Sequence, residues 1–382
     1  MKRPVIGIPF NYDESWIGGS YYIKNLVSAL NLLPNSTKPV VWMLSHGKDS
    51  YDFIKNATQY PRLNWIRPAF LSGIDGGASR RARLFSRLTP FLLKKRVSFD
   101  MVFPYPIDTG LRQTVCWIPD FQDKHLPELF SAEELAAREK QHVDYFTHYR
   151  HIVLSSHAAK ADFEHYYPQA QVQKHVIPFA VFESETNQLD AEHVRKKLAL
   201  PKRYFYCPNQ FWIHKNHQLV IDAVRILKEA GRDVVVAFSG KEHDHRAPDH
   251  AENLKQQVRS HGLENNIRFL GFIPREEQMA VFSGATSVVQ PSKFEGWSTV
   301  IEDAKLSSQY VLASRIPPNV EQITQNVEFF NPDDPNELAS LLAKYSDADP
   351  ACQPIDYRAC QLRFAEAFMT VVRAVTADGK AV

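Results

Sequence analysis

Between residues 204 and 313 short apolar, β-branched runs alternate with longer amphipathic stretches. The runs are Tyr204–Cys207, Asp233–Phe238, Ile267–Gly271, Thr286–Gln290 and Tyr310–Ala313. Between them the spacing predicts helices over 215–230, ending before Gly231, over 249–261, with Gly262 beyond, from Arg275, and around Val300–Ser308. Strands that alternate with helices pair in parallel through right-handed crossovers, so this half predicts an α/β fold. The first half repeats the alternation less cleanly. Val5–Pro9, Val40–Leu44, Asp100–Phe103, Thr114–Ile118 and His151–Leu154 read as strands. Helical patterns run from Ser20 to Leu33, over 131–149 and over 155–166, the last opening on a serine cap. Two facing Rossmann-like domains are expected, with ligands in the cleft at the C-terminal ends of the strands.

At 382 residues the chain exceeds what one hydrophobic core normally holds. The expected division is 1–182 and 183–355, with a linker near 180–200. A closing helix in 356–382, patterned from Tyr357 to Val375, is expected to cross back to the first domain. Hydrophobic residues at 44% and charged residues at 23% suit an ordinary globular protein. A net charge of +2 argues against a dedicated nucleic-acid binder. Residues 1–178 hold 22 Lys+Arg and 16 Asp+Glu, the remainder 23 and 27, a mild asymmetry between the halves. No run of about 18 apolar residues is present, and the N-terminus turns acidic too early for a signal peptide. Cys116, Cys207, Cys352 and Cys360 form no C-x-x-C pair, which excludes a zinc ribbon and suits a reducing compartment. A cytoplasmic protein is expected.

The richest segment is Pro291-Ser292-Lys293-Phe294-Glu295-Gly296-Trp297-Ser298-Thr299-Val300-Ile301-Glu302-Asp303-Ala304. A strand ends near Gln290, a loop carries one carboxylate and one glycine, and a helix begins near Thr299. Free N–H groups at such a helix start favour an anion. Glu295 is placed to accept from sugar hydroxyls, and Glu302 or Asp303 to take both hydroxyls of a ribose. The plain alternative is a loop charge at Glu295 and two carboxylates offsetting the helix dipole.

This segment resembles the signature of retaining nucleotide-sugar glycosyltransferases of family 4, with the GT-B fold. Their pattern reads P-S-x-x-E-G-F-G-L-P-x-x-E-A, and Pro291, Ser292, Glu295, Gly296 and Ala304 match it. The second family glutamate falls on Asp303. Either the shorter Asp serves there, or the loop shifts by one residue and Glu302 serves; the register favours Asp303. Pro208-Asn209-Gln210-Phe211-Trp212-Ile213-His214-Lys215 resembles the loop that grips the donor pyrophosphate, with Lys215 on the family lysine and Gln210 in place of the arginine. Phe269 to Pro274 resembles the loop that holds the nucleobase, by backbone contacts around Ile273. Ser239-Gly240-Lys241 resembles the small-residue loop after the second strand of that domain. His214 and His217 read as a cap and a phosphate neighbour, since no carboxylate accompanies them as a metal pair would need. His243, Asp244, His245 and His250 read as a polar loop.

In the first half Gly18-Gly19, before a helix expected near Ser20, resembles the glycine loop that faces the donor phosphate. Trp117 to Gln122 resembles a strand end where many members carry His-Asp. Here Asp120 matches and the histidine is replaced by Pro119. His125, five residues beyond Asp120, is a candidate source of an imidazole, with an ordinary surface histidine as the alternative. Residues 80–96 hold seven Lys or Arg and no acid, with Leu84, Leu88 and Leu92 every four positions, divided by Pro90. That composition fits either a peripheral helix on an anionic membrane or an amphipathic helix packed on the sheet.

The resemblance implies a hexosyl transfer with retention, with no metal and no cofactor beyond the nucleotide-diphosphate sugar itself. Donor contacts are then expected from Gly18, Gly19, Asn209, Gln210, Lys215, Gly240, Ile273, Gly296, Trp297, Ser298, Thr299 and Asp303 or Glu302. The reaction itself falls to Glu295, Lys215, Asp120 and His125. The implied acceptor is a glycan or lipid-linked glycan of a bacterial surface polysaccharide, reached from the inner face of the membrane. Two other functions remain open on this reading: a nucleotide-sugar epimerase of the same fold, and a non-catalytic nucleotide-sugar-binding subunit.

Overall fold

The computed structural model describes residues 3–13, 17–67, 97–106, 113–183, 189–244 and 246–378. The basic segment 80–96 and His245 lie outside them. The chain divides into two compact units, one of Met1–Phe121, Ala132–Phe182 and Arg358–Val382, the other of Gln122–Ser131 and Glu183–Tyr357.

In the first unit β1 (Val5–Pro9), β2 (Val40–Leu44), β3 (Leu63–Ile66) and β4 (Met101–Val102) form a parallel sheet in the order β3-β2-β1-β4. β5 (Val115–Ile118), β6 (His151–Leu154) and β7 (Gln173–Val176) form a second parallel sheet in chain order. A parallel bridge between Val102 and Thr114, and the Trp117 N–H donating to the Pro104 carbonyl at 2.8 Å, connect the two sheets. The helix expected from Ser20 starts at Ile17 and runs to Leu30, so Gly18 and Gly19 lie in its first turn rather than in a loop before it. This unit also holds the helices Lys48–Thr58, Ala132–His148 and His157–Tyr166. Ser156 caps the latter, its Oγ accepting from the Ala159 N–H at 2.9 Å. The last helix, Tyr357–Asp378, counts with this unit from Arg358 onward. Its buried Phe364 and Phe368 meet Tyr22 and Phe103 at ring distances of 5.8 and 5.3 Å. Gln361 Nε2 donates to the Val181 carbonyl at 2.9 Å.

In the second unit β8 (Phe205–Cys207), β9 (Val236–Phe238), β10 (Ile267–Phe269), β11 (Ser287–Gln290), β12 (Val311–Ser314) and β13 (Val327–Phe330) form one parallel sheet. Its order among the described residues is β10-β9-β8-β11-β12-β13. The strands read as apolar runs because both faces are covered. Alternate residues divide between two cores. Phe205, Cys207, Phe238, Val289 and Leu312 pack with the helices His217–Glu229 and Pro335–Asp347. Tyr204, Tyr206, Val288, Val311 and Ala313 pack with Arg275–Gly284 and Thr299–Leu306. The stretch expected as a linker near 180–200 contains a helix, Ala191–Lys197, capped by Asp190 and anchored in the second core by Val194. β8 and β11 are neighbours from which the order runs outward in opposite directions. That reversal leaves a crevice beyond their C-terminal ends.

Phe368→Ala removes a fully buried ring from the closing helix. The expected loss is about 3–5 kcal/mol. It should be read as a lower urea midpoint of the first unit's transition, followed by the near-ultraviolet signal of its aromatic cluster.

Candidate functional site

Two loops leave the sheet at the reversal point. After β8 the chain runs through Pro208 to a single 3-10 turn, Ile213–Lys215, and turns at Asn216 into the helix from His217. Asn216 takes φ 59° and ψ 38°, a left-handed conformation that asparagine tolerates better than most residues. Its Nδ2 donates to the Pro291 carbonyl at 3.1 Å and the Pro332 carbonyl at 2.8 Å. The Lys293 N–H donates to the His214 carbonyl at 2.8 Å. The two loops are thereby fastened side by side, and Lys215 meets Glu295, Nζ to Oε1 at 2.6 Å. The pair is largely sequestered, at 14% and 8% side-chain exposure.

Gln290, fully buried at the end of β11, connects the same loops. Its Oε1 accepts from Asn209 Nδ2 at 2.9 Å. Its Nε2 donates to Glu295 Oε1 at 2.7 Å, to Ser298 Oγ at 3.0 Å and to Ser292 Oγ at 3.2 Å. Gly240 abuts this cluster from the loop after β9. A Cβ there would lie 2.7 Å from the Asn209 carbonyl carbon, so only glycine fits.

The neighbouring carboxylates Glu302 and Asp303 have different surroundings. Glu302 is 1% exposed and takes three side-chain donors. Lys305 Nζ lies at 2.7 Å, Gln322 Nε2 at 3.0 Å and the Tyr357 hydroxyl at 2.6 Å. Asp303 is paired two-pronged with the Arg275 guanidinium, Nη1 to Oδ2 at 2.7 Å and Nη2 to Oδ1. Arg275 opens the helix that follows the half-buried Ile273.

At the start of the helix Thr299–Leu306, Ser298 Oγ accepts from the Ile301 N–H at 3.4 Å. The Ser298 N–H donates to Gln322 Oε1 at 2.9 Å, and Gln322 Nε2 donates back to the Ser298 carbonyl at 2.7 Å. Of the amides expected near an anion, the one at Ser298 is therefore already engaged. Thr299 is exposed, and Gly296 and Trp297 are half-buried, with Lys305 Nζ 5.9 Å from the Trp297 ring centroid. Gln210 is half-buried in the loop after β8.

His217 is fully buried and stacks on Phe211 at 4.4 Å with 6° between the rings. Burial, reinforced by His250 and Lys215, lowers its pKa to about 3. Burial and the nearby Lys215 and Arg246 likewise push His214 well below the ordinary histidine range. Both rings are neutral packing elements. Among the described residues no group of three or more His, Cys, Asp or Glu is arranged to hold a metal ion.

His125 ends the short helix Gln122–His125, which counts with the second unit. Its ring packs against Phe294 at 5.2 Å, one residue from Glu295. Gly18, Gly19 and the half-buried Asp120 belong to the first unit. Sequence reasoning named Glu295, Asp303 and Ser298 but missed their partners Gln290, Arg275 and Gln322. A polar residue closing a fully buried apolar strand, as in Val288-Val289-Gln290, was the available sign for the first of these.

Residues 190–361 match the family model of glycosyl transferases group 1. A segment of 141 residues is 27% identical to the O-antigen chain mannosyltransferase RfbU of Salmonella typhimurium, covering 37% of this chain and 38% of that protein. Among solved structures, Anabaena Alr3699/HepE in complex with UDP and glucose superposes with a TM-score of 0.63 at 15% identity, over 99% of both chains. A glycosyltransferase from Rickettsia africae gives 0.63 at 15% identity, over 100% of this chain and 97% of that one. These likenesses bear out the expected α/β fold of the GT-B glycosyltransferases. No helix of the described residues is long and apolar enough to cross a membrane.

The neutral, buried His217 ties stability to pH. In the unfolded chain it titrates near 6.5, whereas in the folded chain it takes a proton only near 3. Between those values the unfolded state binds more protons, so stability falls as pH falls, at about 1.4 kcal/mol per unit from this group. Urea midpoints measured from pH 7 to pH 4 should therefore drop, and His217→Phe, which keeps the ring stack, should flatten the slope.

Proposed function

We propose that the protein, whose residues 190–361 match the family model of group 1 glycosyl transferases, transfers a hexosyl group, with retention and without a metal, from a nucleotide-diphosphate sugar to a glycan or lipid-linked glycan of a bacterial surface polysaccharide. The observation that carries this reading is the Lys215–Glu295 pair, held at the reversal point of the sheet by loops from two adjacent strands. The resemblance to a mannosyltransferase of O-antigen chains supports the class of acceptor and makes mannose the first sugar to try.

On this reading Lys215 meets the diphosphate. As the sugar leaves, negative charge collects on the departing phosphate oxygens, and a fixed ammonium in a sequestered site stabilises it more than water would. The Glu295 carboxylate, near the anomeric end of that diphosphate, orients the sugar hydroxyls. Glu302 is 1% exposed and takes donors from three side chains, which leaves one lone pair, too few for the paired hydroxyls of a ribose. Asp303 gives Arg275 one lone pair from each oxygen and keeps the other two, enough for the paired ribose hydroxyls. Asp120, Gly18 and Gly19 are further donor contacts on this reading, and His125 offers an imidazole beside Phe294. A peripheral contact between segment 80–96 and an anionic membrane surface would bring a lipid-linked acceptor to a cytoplasmic enzyme.

The test is donor turnover. GDP-mannose, UDP-glucose and related nucleotide sugars are screened by thermal shift, and release of free nucleotide diphosphate is measured with the donor that raises the melting temperature most. Lys215→Ala should lower turnover about tenfold or more, since a charge-assisted contact is worth roughly 1.5–3 kcal/mol. Unchanged turnover would remove the diphosphate assignment.

The adjacent carboxylates should separate by assay. Asp303→Asn is expected to weaken nucleotide-diphosphate binding in calorimetry by more than its loss of the Arg275 pair lowers stability, with binding measured well below the variant's melting temperature. Glu302→Gln is expected to lower stability by about 1–3 kcal/mol, because a charged acceptor of three buried contacts is lost, with nucleotide affinity nearly kept.

A further inference from the structure

We infer that Gln290 is a positioning residue for the transfer reaction, fixing which oxygen of Glu295 faces the donor sugar. This rests on the reading that Glu295 acts at the sugar and Lys215 at the diphosphate. Gln290 itself would contact neither the sugar nor the diphosphate. It is fully buried at the C-terminal end of β11, behind both loops.

The orientation of its amide is determined by its neighbours. Asn209 Nδ2 is a donor, so the group facing it at 2.9 Å is the Gln290 carbonyl oxygen. The Nε2 group is thereby turned to the acceptors on the other side: Glu295 Oε1 at 2.7 Å, Ser298 Oγ at 3.0 Å and Ser292 Oγ at 3.2 Å. Glu295 Oε1 thus receives a donor from Gln290 and a second from Lys215 Nζ at 2.6 Å. With both donors on one oxygen the plane of the carboxylate is fixed, and Oε2 is the oxygen with lone pairs to offer a ligand. Lys215 alone would not do this. An ammonium on a flexible stem makes a point contact and leaves the carboxylate free to rotate.

The same amide couples the loops. Asn209 lies in the loop after β8 and Glu295 in the loop after β11, and one rigid planar group bonds to both. Ser298, the third partner, caps the helix Thr299–Leu306 that carries Asp303. Displacement of Gln290 would therefore be felt at the carboxylate and at the helix start together. A misplacement of about 1 Å at such a position costs on the order of a hundredfold in rate.

The test uses the full chain with two substitutions and two donors, GDP-mannose and UDP-glucose, following release of nucleotide diphosphate against pH. Gln290→Met keeps the length and removes every hydrogen bond. It should lower kcat about tenfold or more with donor KM nearly unchanged, because the diphosphate contact through Lys215 persists. Gln290→Glu keeps the shape and places a second carboxylate against Glu295. The two then share a proton, and the acidic limb of the pH profile should move up by about one unit or more. If the methionine variant fails to fold, the glutamate variant still reads the coupling through its pH profile. Loss of activity only in proportion to the unfolded fraction, with an unshifted acidic limb, would make Gln290 merely structural and overturn the proposal. Kinetics equal to wild type in both variants would do the same. A wild type that releases nothing from either donor would instead overturn the transferase reading, and this role with it.

Discussion

A carboxylate is costly to remove from water, and the second unit is organised around one that has been. Glu295 is nearly buried, and breaking such a pair by removing one partner leaves an uncompensated charge worth about 3–5 kcal/mol. The compensation comes from a different loop, 80 positions earlier in the chain, through Lys215. Apart from one 3-10 turn neither loop is regular secondary structure, so their mutual placement depends on contacts that the sheet does not supply. Asn216 fastens one loop to the carbonyls of Pro291 and Pro332, and Gln290 fastens both from below. The order of strands brings β8 beside β11, and without that adjacency the charge would have no partner.

The pair Glu302 and Asp303 shows how little separates structure from binding along one helix. Successive residues on a helix point about 100° apart. One direction carries Glu302 toward Gln322, Lys305 and Tyr357, the last residue of this unit before the chain leaves it. The other carries Asp303 toward Arg275 at the end of the loop after β10. A buried carboxylate with three donors holds elements together. A carboxylate facing a single planar guanidinium keeps lone pairs for something else. The sequence shows two acids side by side and cannot show this difference, because all the distinguishing donors except Lys305 come from distant positions.

Periodicity made the strand-helix alternation of 204–313 legible, since a strand covered on both faces is an apolar run and a surface helix is a stripe. It failed where the pattern is weak. β7, Gln173–Val176, is a half-polar strand on a sheet edge, and β13, Val327–Phe330, carries Glu328 in its middle. The helix Ala191–Lys197 reads as linker in sequence because it offers one buried apolar anchor, Val194, among charged neighbours. At Gly18-Gly19 the glycines argued for a loop, yet the helix already begins at Ile17, so tertiary packing of Tyr22 and Leu26 outweighed their poor helix propensity. In the site the loop residues were singled out by the family resemblance. Gln290 stood out only as a polar residue closing an apolar strand, and its role becomes legible only once the four groups around it are known.

The ten residues Gln122–Ser131 carry a last consequence of the chain's path. They follow β5 without a break and by sequence belong to the first half, yet they count with the second unit. Two aromatic contacts join them to it. Arg246 lies over the Phe130 ring at 5.5 Å and over Trp212 at 5.7 Å, while Asp244 holds its guanidinium. At the other end His125 packs on Phe294. A cation between two rings is worth about 0.5–2 kcal/mol, enough to fix a short segment whose backbone is already ordered in two helical turns. The resemblance would place a histidine at position 119, in the first unit, and Pro119 stands there instead. The imidazole that the same stretch does carry, at His125, is borne by the unit that holds Lys215 and Glu295. Its distance from those groups is therefore fixed within one folded body by local packing.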